Sequence, residues 1–369
     1  MDGMELIKAV ESKIDKIRTR SLDLSFNELL DMYENEELII SPEYQRLFRW
    51  SEGSQSRFIE SLILEMPVPP IFVIELEEGV YELIDGLQRI SSYLHFRGKL
   101  PERQGFLRLI DCDIVPELND ITFDHLPKAL EIKLKRNFIR VEILRKESDQ
   151  RLRYYMFKRL NTGGENLSDQ EIRNSTIRLL DDKFNNFIID LSKNEDFKKC
   201  IDNLSEEKIE QKYDQELVLR YFAFKNYRHK YVHDVRDFLT EYMEVASDPQ
   251  QGEVEIDYEK EREIFKKTFK ILNKSLGNQT FSGANKQGKL VSRFLIYHFE
   301  AFCIGIQEQI SKFNVEDAGQ IENLEKLFSE IKNDPEFKRI TTGGGKNYAK
   351  PLNERISFVE DRLRDAEWI

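Results

Sequence analysis

The sequence has 369 residues, enough for two or three domains, and its 40% apolar content is that of a globular protein rather than a disordered one. A formal net charge of −12 argues against a dedicated non-specific DNA binder, since such proteins are usually basic. The three cysteines form no Cys-x-x-Cys pair, which argues against structural zinc and a disulfide framework and fits a reducing cytoplasm.

The first twenty residues carry too many charges for a signal peptide and have the pattern of an amphipathic helix. No apolar run reaches the length of a transmembrane helix. We therefore expect a cytoplasmic protein that does not associate with a membrane.

The elements predicted for the first half alternate between helices and strands. Two capping-box patterns, residues 25–28 and 168–171, predict helices that run through Met32 and Leu180. Apolar residues at helical spacing predict further helices at residues 55–66, from about 86 to Gly98, near 127–135 and at 149–160. The predicted strands are residues 38–40, 71–76, 80–84, 106–111 and 138–144.

After about residue 180 the pattern changes, because strands are hard to find and apolar residues recur at helical spacing. We therefore predict an α+β protein with an N-terminal α/β domain at 1–180 and a mostly α-helical domain at 181–369. In the second domain Thr341–Lys346 resembles a phosphate-binding loop in composition but lacks the Walker spacing, so it is interpreted as a mobile loop.

The turn from the predicted strand 80–84 into the next helix has the strongest signal for chemistry. It contains Asp85, Gly86, Gln88 and Arg89. A helix N-terminus offers free N–H groups and the positive end of the helix dipole, so it suits an anion. Arg89 could clamp a phosphate, and Asp85 could hold a metal or a ribose. A capped turn with a surface arginine is an equally good reading of these residues alone.

Two other segments are weaker candidates when each is taken alone. Tyr44-Gln45-Arg46, followed by Trp50, combines arginine and aromatic residues that suit a nucleotide, although Trp50 could equally anchor the core. Asn161-Thr162-Gly163-Gly164 allows close backbone approach to a ligand, but Asn and Gly are also ordinary helix caps.

Residues 128–159 hold eleven basic and four acidic residues, which is either a nucleic-acid-facing patch or a solvated surface.

The three segments occur in one order along the chain, and together they resemble the N-terminal domain of GmrSD-type restriction proteins, the GmrS-like family. The pattern of that family is Y-Q-R-x-x-x-W, then D-G-Q-Q-R, then F-x-x-L-N-T-G-G. The resemblance covers roughly residues 20–180. Leu87 stands where the family usually has its first glutamine, which weakens the case for a ligand role there. The chain is also similar, more distantly, to ParB and sulfiredoxin.

The resemblance implies a domain that binds and hydrolyses a nucleoside triphosphate with Mg²⁺. Arg46 and Arg89 would contact phosphates, Asp85 would hold the metal, Gln88 would orient water or phosphate, and Tyr44 or Trp50 would pack near the base. The implied catalytic residues are Asp85, Gln88 and Arg89. The implied nucleotide-binding residues are Tyr44, Gln45, Arg46, Trp50, Gly86, Asn161, Thr162 and Gly163.

The resemblance also implies an antiphage or restriction role, in which this domain gates a nuclease that cuts modified foreign DNA. No H-N-H-type motif is found in the chain, so the nuclease is expected to be a separate subunit. One alternative is a non-enzymatic, nucleotide-gated DNA-binding or regulatory subunit, and a stand-alone Mg²⁺-dependent DNA endonuclease ranks last. The sequence leaves the oligomeric state open, including a homo-oligomer.

Overall fold

The computed structural model describes residues 3–14, 18–41, 48–101, 103, 105–161, 168–248, 254–284 and 290–366. Its contacts group into two compact units, residues 1–167 and 168–369. The predicted α+β class is confirmed, because a five-stranded sheet with helices is followed by a mostly helical part. Among the described residues, no helix is both long and apolar enough to cross a membrane.

The strands of unit 1 form one mixed sheet of order β1-β5-β3-β4-β2. The pairs β1/β5 and β3/β4 are antiparallel, whereas β3/β5 and β2/β4 are parallel. The strands are β1 (Thr19–Ser25), β2 (Leu38–Ile39), β3 (Ile71–Glu77), β4 (Val80–Asp85) and β5 (Phe138–Leu144). The helices are α1 (Gly3–Ile14), α2 (Phe26–Glu34), α3 (Glu52–Ile63), α4 (Leu87–Phe96), α5 (Lys128–Arg136) and α6 (Gln150–Asn161).

Side chains alternate between the two faces of this sheet along each strand, and both faces carry buried residues at β3 and β4. Val73, Leu83 and Val141 belong to the main core, which also contains residues of α2 to α5. Ile74 and Ile84 are buried outside that core cluster, and α6 packs on β4. The end of β4 is therefore held between helices on both sides of the sheet.

The prediction of a strand at residues 106–111 was wrong. Leu107 and Leu109 are buried, but their backbone N–H groups donate to the carbonyl oxygens of His95 and Ile121 rather than to a strand. Period-2 burial arises here in an extended segment packed beside a helix end, and this pattern cannot be distinguished from a strand by sequence.

Unit 2 is built from helices around an aromatic core. The helix Asp169–Ile177 starts at a complete capping box, in which Ser168 Oγ accepts from Glu171 N, and it ends before the predicted Leu180. The following helices are Lys183–Leu191, Glu195–Cys200, Glu206–Glu210, Tyr213–Asn226, Val235–Ser247, Tyr258–Leu276, Ile296–Gly305, Ala318–Asn333, Pro335–Thr341 and Ala349–Arg364. A small antiparallel pair, β6 (Ser282–Ala284) and β7 (Leu290–Phe294), was not predicted.

Candidate functional site

The strand-to-helix turn after β4 is shaped by Gly86. This residue is the N-cap of α4 and has a φ of 106°. A Cβ at this position would lie 2.3 Å from Ile71 Cγ2, so a side chain would collide with β3 as well as strain the backbone. The turn therefore brings the end of β4 directly to the N-terminus of a ten-residue helix, where the dipole favours negative charge.

Arg89 and Asp85 meet at this turn. Arg89 Nη2 donates to Asp85 Oδ2 at 3.0 Å and to the carbonyl oxygen of Pro70 at 3.0 Å. The Arg89 side chain is only 17% exposed, compared with 36% for Asp85. Arg89 Nε is buried and has no hydrogen-bond partner among the described residues. The guanidinium is thus held in a fixed position in the first turn of α4, with donor capacity beyond its two fixed contacts.

Gln88 connects this turn to the end of the first motif. Its Oε1 accepts from the backbone N–H of Arg49 at 3.0 Å and from that of Trp50 at 3.1 Å. Gln88 was predicted to orient water or phosphate, but its side-chain oxygen already accepts hydrogen bonds from two main-chain N–H groups. This geometry makes Gln88 a residue that positions the first motif against α4.

A second glutamine, Gln55, also contacts the backbone of Trp50, and it was not among the residues predicted from the sequence. Gln55 is fully buried, and its Nε2 donates to the carbonyl oxygen of Trp50 at 2.8 Å. His95 Nδ1 lies 2.8 Å from Gln55 Oε1, to which it donates. Burial lowers the pKa of His95, with a further contribution from Arg103, so the neutral ring with its proton on Nδ1 is favoured. Gln88 and Gln55 thus hold the backbone of Trp50 at its N–H and its C=O respectively, and we call this pair of contacts the clamp.

The first motif itself is only partly described. Tyr44, Gln45 and Arg46 lie outside the described residues. Trp50 is half-buried, and its ring packs edge-on against Phe58 at 5.8 Å between centroids. The tryptophan therefore makes the core contact that the sequence analysis gave as its alternative role.

The third motif begins at the end of α6. Asn161 is the last residue of that helix, which packs on β4, the strand that carries Asp85. Thr162, Gly163 and Gly164 lie outside the described residues.

The donor set fits Mg²⁺ only in combination with phosphate. Among the residues that the structure describes, no three His, Cys, Asp or Glu side chains converge as a metal site. Mg²⁺ is commonly held by one or two carboxylates together with substrate phosphates and water, and Asp85 beside a helix N-terminus would be the protein's ligand in such a set.

Five of the eleven basic residues between 128 and 159 form ion pairs with acids. Lys128 and Lys135 both reach Glu131, and Arg140 forms a two-pronged pair with Asp23. Further pairs join Lys133 to Glu65 and Arg145 to Glu75 and Glu147. The local excess of positive charge is thus partly neutralised, and the five paired residues fit the solvated-surface interpretation.

In the glycine-rich loop of unit 2, Lys346 has a structural role. Lys346 Nζ donates to the carbonyl oxygens of Arg339 and Thr342, at the C-terminal end of the helix Pro335–Thr341. A cation at this end complements the helix dipole. The resemblance of this loop to a phosphate site is therefore one of composition.

The fold and the turn together define an α+β domain with an arginine and a carboxylate at a helix N-terminus. Residues 26–178 match the family model described as GmrSD restriction endonuclease, N-terminal domain. The three motifs lie within this range, and the match indicates a component of a restriction or defence system. Comparisons with curated proteins and with solved structures gave no match.

Proposed function

We propose that the N-terminal unit binds a nucleoside triphosphate with Mg²⁺ and hydrolyses it, and that this cycle gates a separate nuclease acting on foreign or modified DNA. The relationship of its fold to ParB and sulfiredoxin is part of the same proposal. The observation that carries it is the Asp85–Arg89 pair at the N-terminus of α4, within a segment similar to a restriction-endonuclease domain.

Each residue of the turn has a role that follows from its geometry. The N-terminus of α4 and the Arg89 guanidinium would together bind the phosphates, since both favour an anion at the same place. Asp85 would ligate Mg²⁺, and a phosphate group would then compete with Asp85 for Arg89. Gln88 would hold the first motif, so that Tyr44 and Arg46 are presented to the same ligand. Phosphoryl transfer depends mainly on such positioning and charge neutralisation.

The test is steady-state phosphate release from a panel of nucleoside triphosphates with Mg²⁺, using wild type, Asp85→Ala and Arg89→Ala. The chain offers a matched control in Arg108 and Asp120, whose side chains form an exposed pair at 3.9 Å in the same unit. We expect the two site variants to lose about 100-fold or more in kcat/KM, whereas Arg108→Ala and Asp120→Ala stay within about twofold. Equal activity in all five proteins would refute the assignment.

Nucleotide binding is measured in parallel, because it separates the proposal from its alternative. Binding that depends on Arg89 without any phosphate release would replace the hydrolase with a nucleotide-gated regulatory subunit. Plasmid cutting by the purified chain, lost in Asp85→Ala, would instead support the stand-alone nuclease.

A further inference from the structure

A second concave site lies on the sheet of unit 1, between α2 and the strands. It has a volume of about 340 Å³, which is within the usual range of small-molecule pockets. We call it the sheet pocket. Its floor is apolar and includes Leu22, Met32, Val73, Tyr81 and Ile143. These residues come from β1, α2, β3, β4 and β5, so the floor spans strands that are hydrogen-bonded neighbours and rigid.

The rim of the sheet pocket carries charge of one sign. Glu28 and Asp31 lie on α2 three residues apart and so on one helix face, and Glu37 lies just before β2. All three residues are exposed. Among the described residues that line the pocket there is no lysine, arginine or histidine. A rim of one charge sign beside a concave apolar surface favours a ligand of the opposite charge.

Tyr81 adds a second feature that selects a cation. It is half-buried in the pocket floor on β4, and its backbone N–H donates to the carbonyl oxygen of Glu37. The face of a tyrosine ring attracts an ammonium group, and this attraction increases as water is excluded. Carboxylates at the rim, together with an apolar floor that includes one tyrosine, complement a molecule that has a hydrophobic body and one positive end.

We propose that the sheet pocket binds a small organic amine, with its apolar body on the sheet and its ammonium group at the rim formed by Glu28, Asp31 and Glu37. This site is distinct from the Asp85 turn, and it does not depend on the proposed nucleotide chemistry. The two sites share β4, which provides Tyr81 to one and Asp85 to the other.

The test compares three probes with similar apolar bodies and different charges, which are phenethylamine, 2-phenylethanol and 3-phenylpropanoate. Methyl NMR of the full chain reports on Leu22, Val73 and Ile143, and Val359, a buried residue of unit 2 that does not line the pocket, is the control. We expect the amine to shift the three pocket methyls with a dissociation constant of about 1 mM or tighter, and to bind at least about tenfold more tightly than the alcohol. The carboxylate should bind more weakly than the alcohol.

Neutral variants of the rim identify the contribution of charge. Glu28→Gln and Asp31→Asn should each weaken amine binding by about threefold or more and leave alcohol binding unchanged. The control is Glu34→Gln, an exposed acid on the same helix that does not line the pocket. Tyr81→Leu should also weaken the amine selectively.

Three results would overturn the proposal. The first is equal affinity for amine and alcohol, because the rim would then contribute nothing. The second is amine binding that Glu28→Gln and Asp31→Asn leave unaltered. The third is an absence of shifts at the pocket methyls, which would mean that the sheet pocket is closed to small molecules in solution. Loss of phosphate release in Arg89→Ala with retained amine binding would keep the two proposals separate.

Discussion

Replacing Gln88 with alanine is expected to detach the end of the first motif from α4. Gln88 Oε1 is the acceptor for two main-chain donors, Arg49 N and Trp50 N, at 3.0 and 3.1 Å. A hydrogen bond of this kind contributes about 0.5–1.5 kcal/mol net, so the loss of both should cost about 1–3 kcal/mol of local stability. Because 1.4 kcal/mol corresponds to a factor of ten, local opening of this segment should become about 5- to 150-fold more frequent.

Amide hydrogen exchange of residues 48–54 measures this opening directly. In Gln88→Ala, the amide protons of Arg49 and Trp50 should exchange faster by that factor. In Gln88→Glu, they should stay protected, because a carboxylate oxygen accepts the same two bonds. Arg57→Ala is the control, since Arg57 is an exposed α3 residue whose guanidinium contacts Ser54 Oγ.

Unchanged exchange at these two amides in Gln88→Ala would contradict the positioning role of Gln88. The Gln55 contact to the Trp50 carbonyl would then be sufficient to hold the segment. A global loss of protection across unit 1 would equally contradict a local role, because only the end of one loop depends on the two bonds.

Three further outcomes follow from the structure. Gly86→Ala should lower the free energy of unfolding of unit 1 by about 2–4 kcal/mol in a denaturant titration, because the new Cβ would lie 2.3 Å from Ile71 Cγ2 at a φ of 106°. Lys346→Ala should lower thermal stability slightly, by about 1 kcal/mol or less, and leave nucleotide binding unchanged in a titration, since Lys346 caps a helix end. Burial lowers the pKa of His298 to about 3 from an unfolded value of 6.5. The stability that depends on the neutral ring is therefore complete above pH 6.5 and falls by about 1.4 kcal/mol per pH unit below it. In denaturant titrations between pH 7 and 4, the free energy of unfolding should fall less steeply in His298→Gln than in wild type.

Local chemistry made several element boundaries predictable from sequence. Ser25 and Ser168 cap their helices as the sequence indicated, because a capping hydroxyl needs only the next three residues of the chain. Gly98, with a φ of 65°, ends α4 for a similarly local reason. The order of the strands was not predictable in this way, since the parallel pairing of β3 with β5 joins residues far apart in sequence.

In the candidate site too, contacts between residues far apart in the sequence could not be predicted from local patterns. The strand-to-helix turn drew attention to Asp85 and Arg89, although a structural turn was an equally good reading until the order of the three motifs was considered. The contacts of Gln88 to the first motif could not be predicted, since its partners belong to a segment 38 and 39 residues away. Gln55 received no role at all, because a buried glutamine on a helix has no sequence signature of its own.

The clamp on Trp50 gives the order of the motifs a physical meaning. Gln88 belongs to the second motif and Trp50 closes the first, so the hydrogen bond from Trp50 N to Gln88 Oε1 ties the two motifs together. A substitution that removes this hydrogen bond should therefore reduce the proposed contribution of Arg46 to phosphate binding, although Arg46 itself is unchanged. If the first motif contributes a phosphate contact, both Gln88→Ala and Arg46→Ala should lower kcat/KM for phosphate release. The double variant should then lose no more of kcat/KM than the more damaged single variant. Additive losses would show that the two motifs act on the ligand independently, and the positioning role of Gln88 would then be wrong.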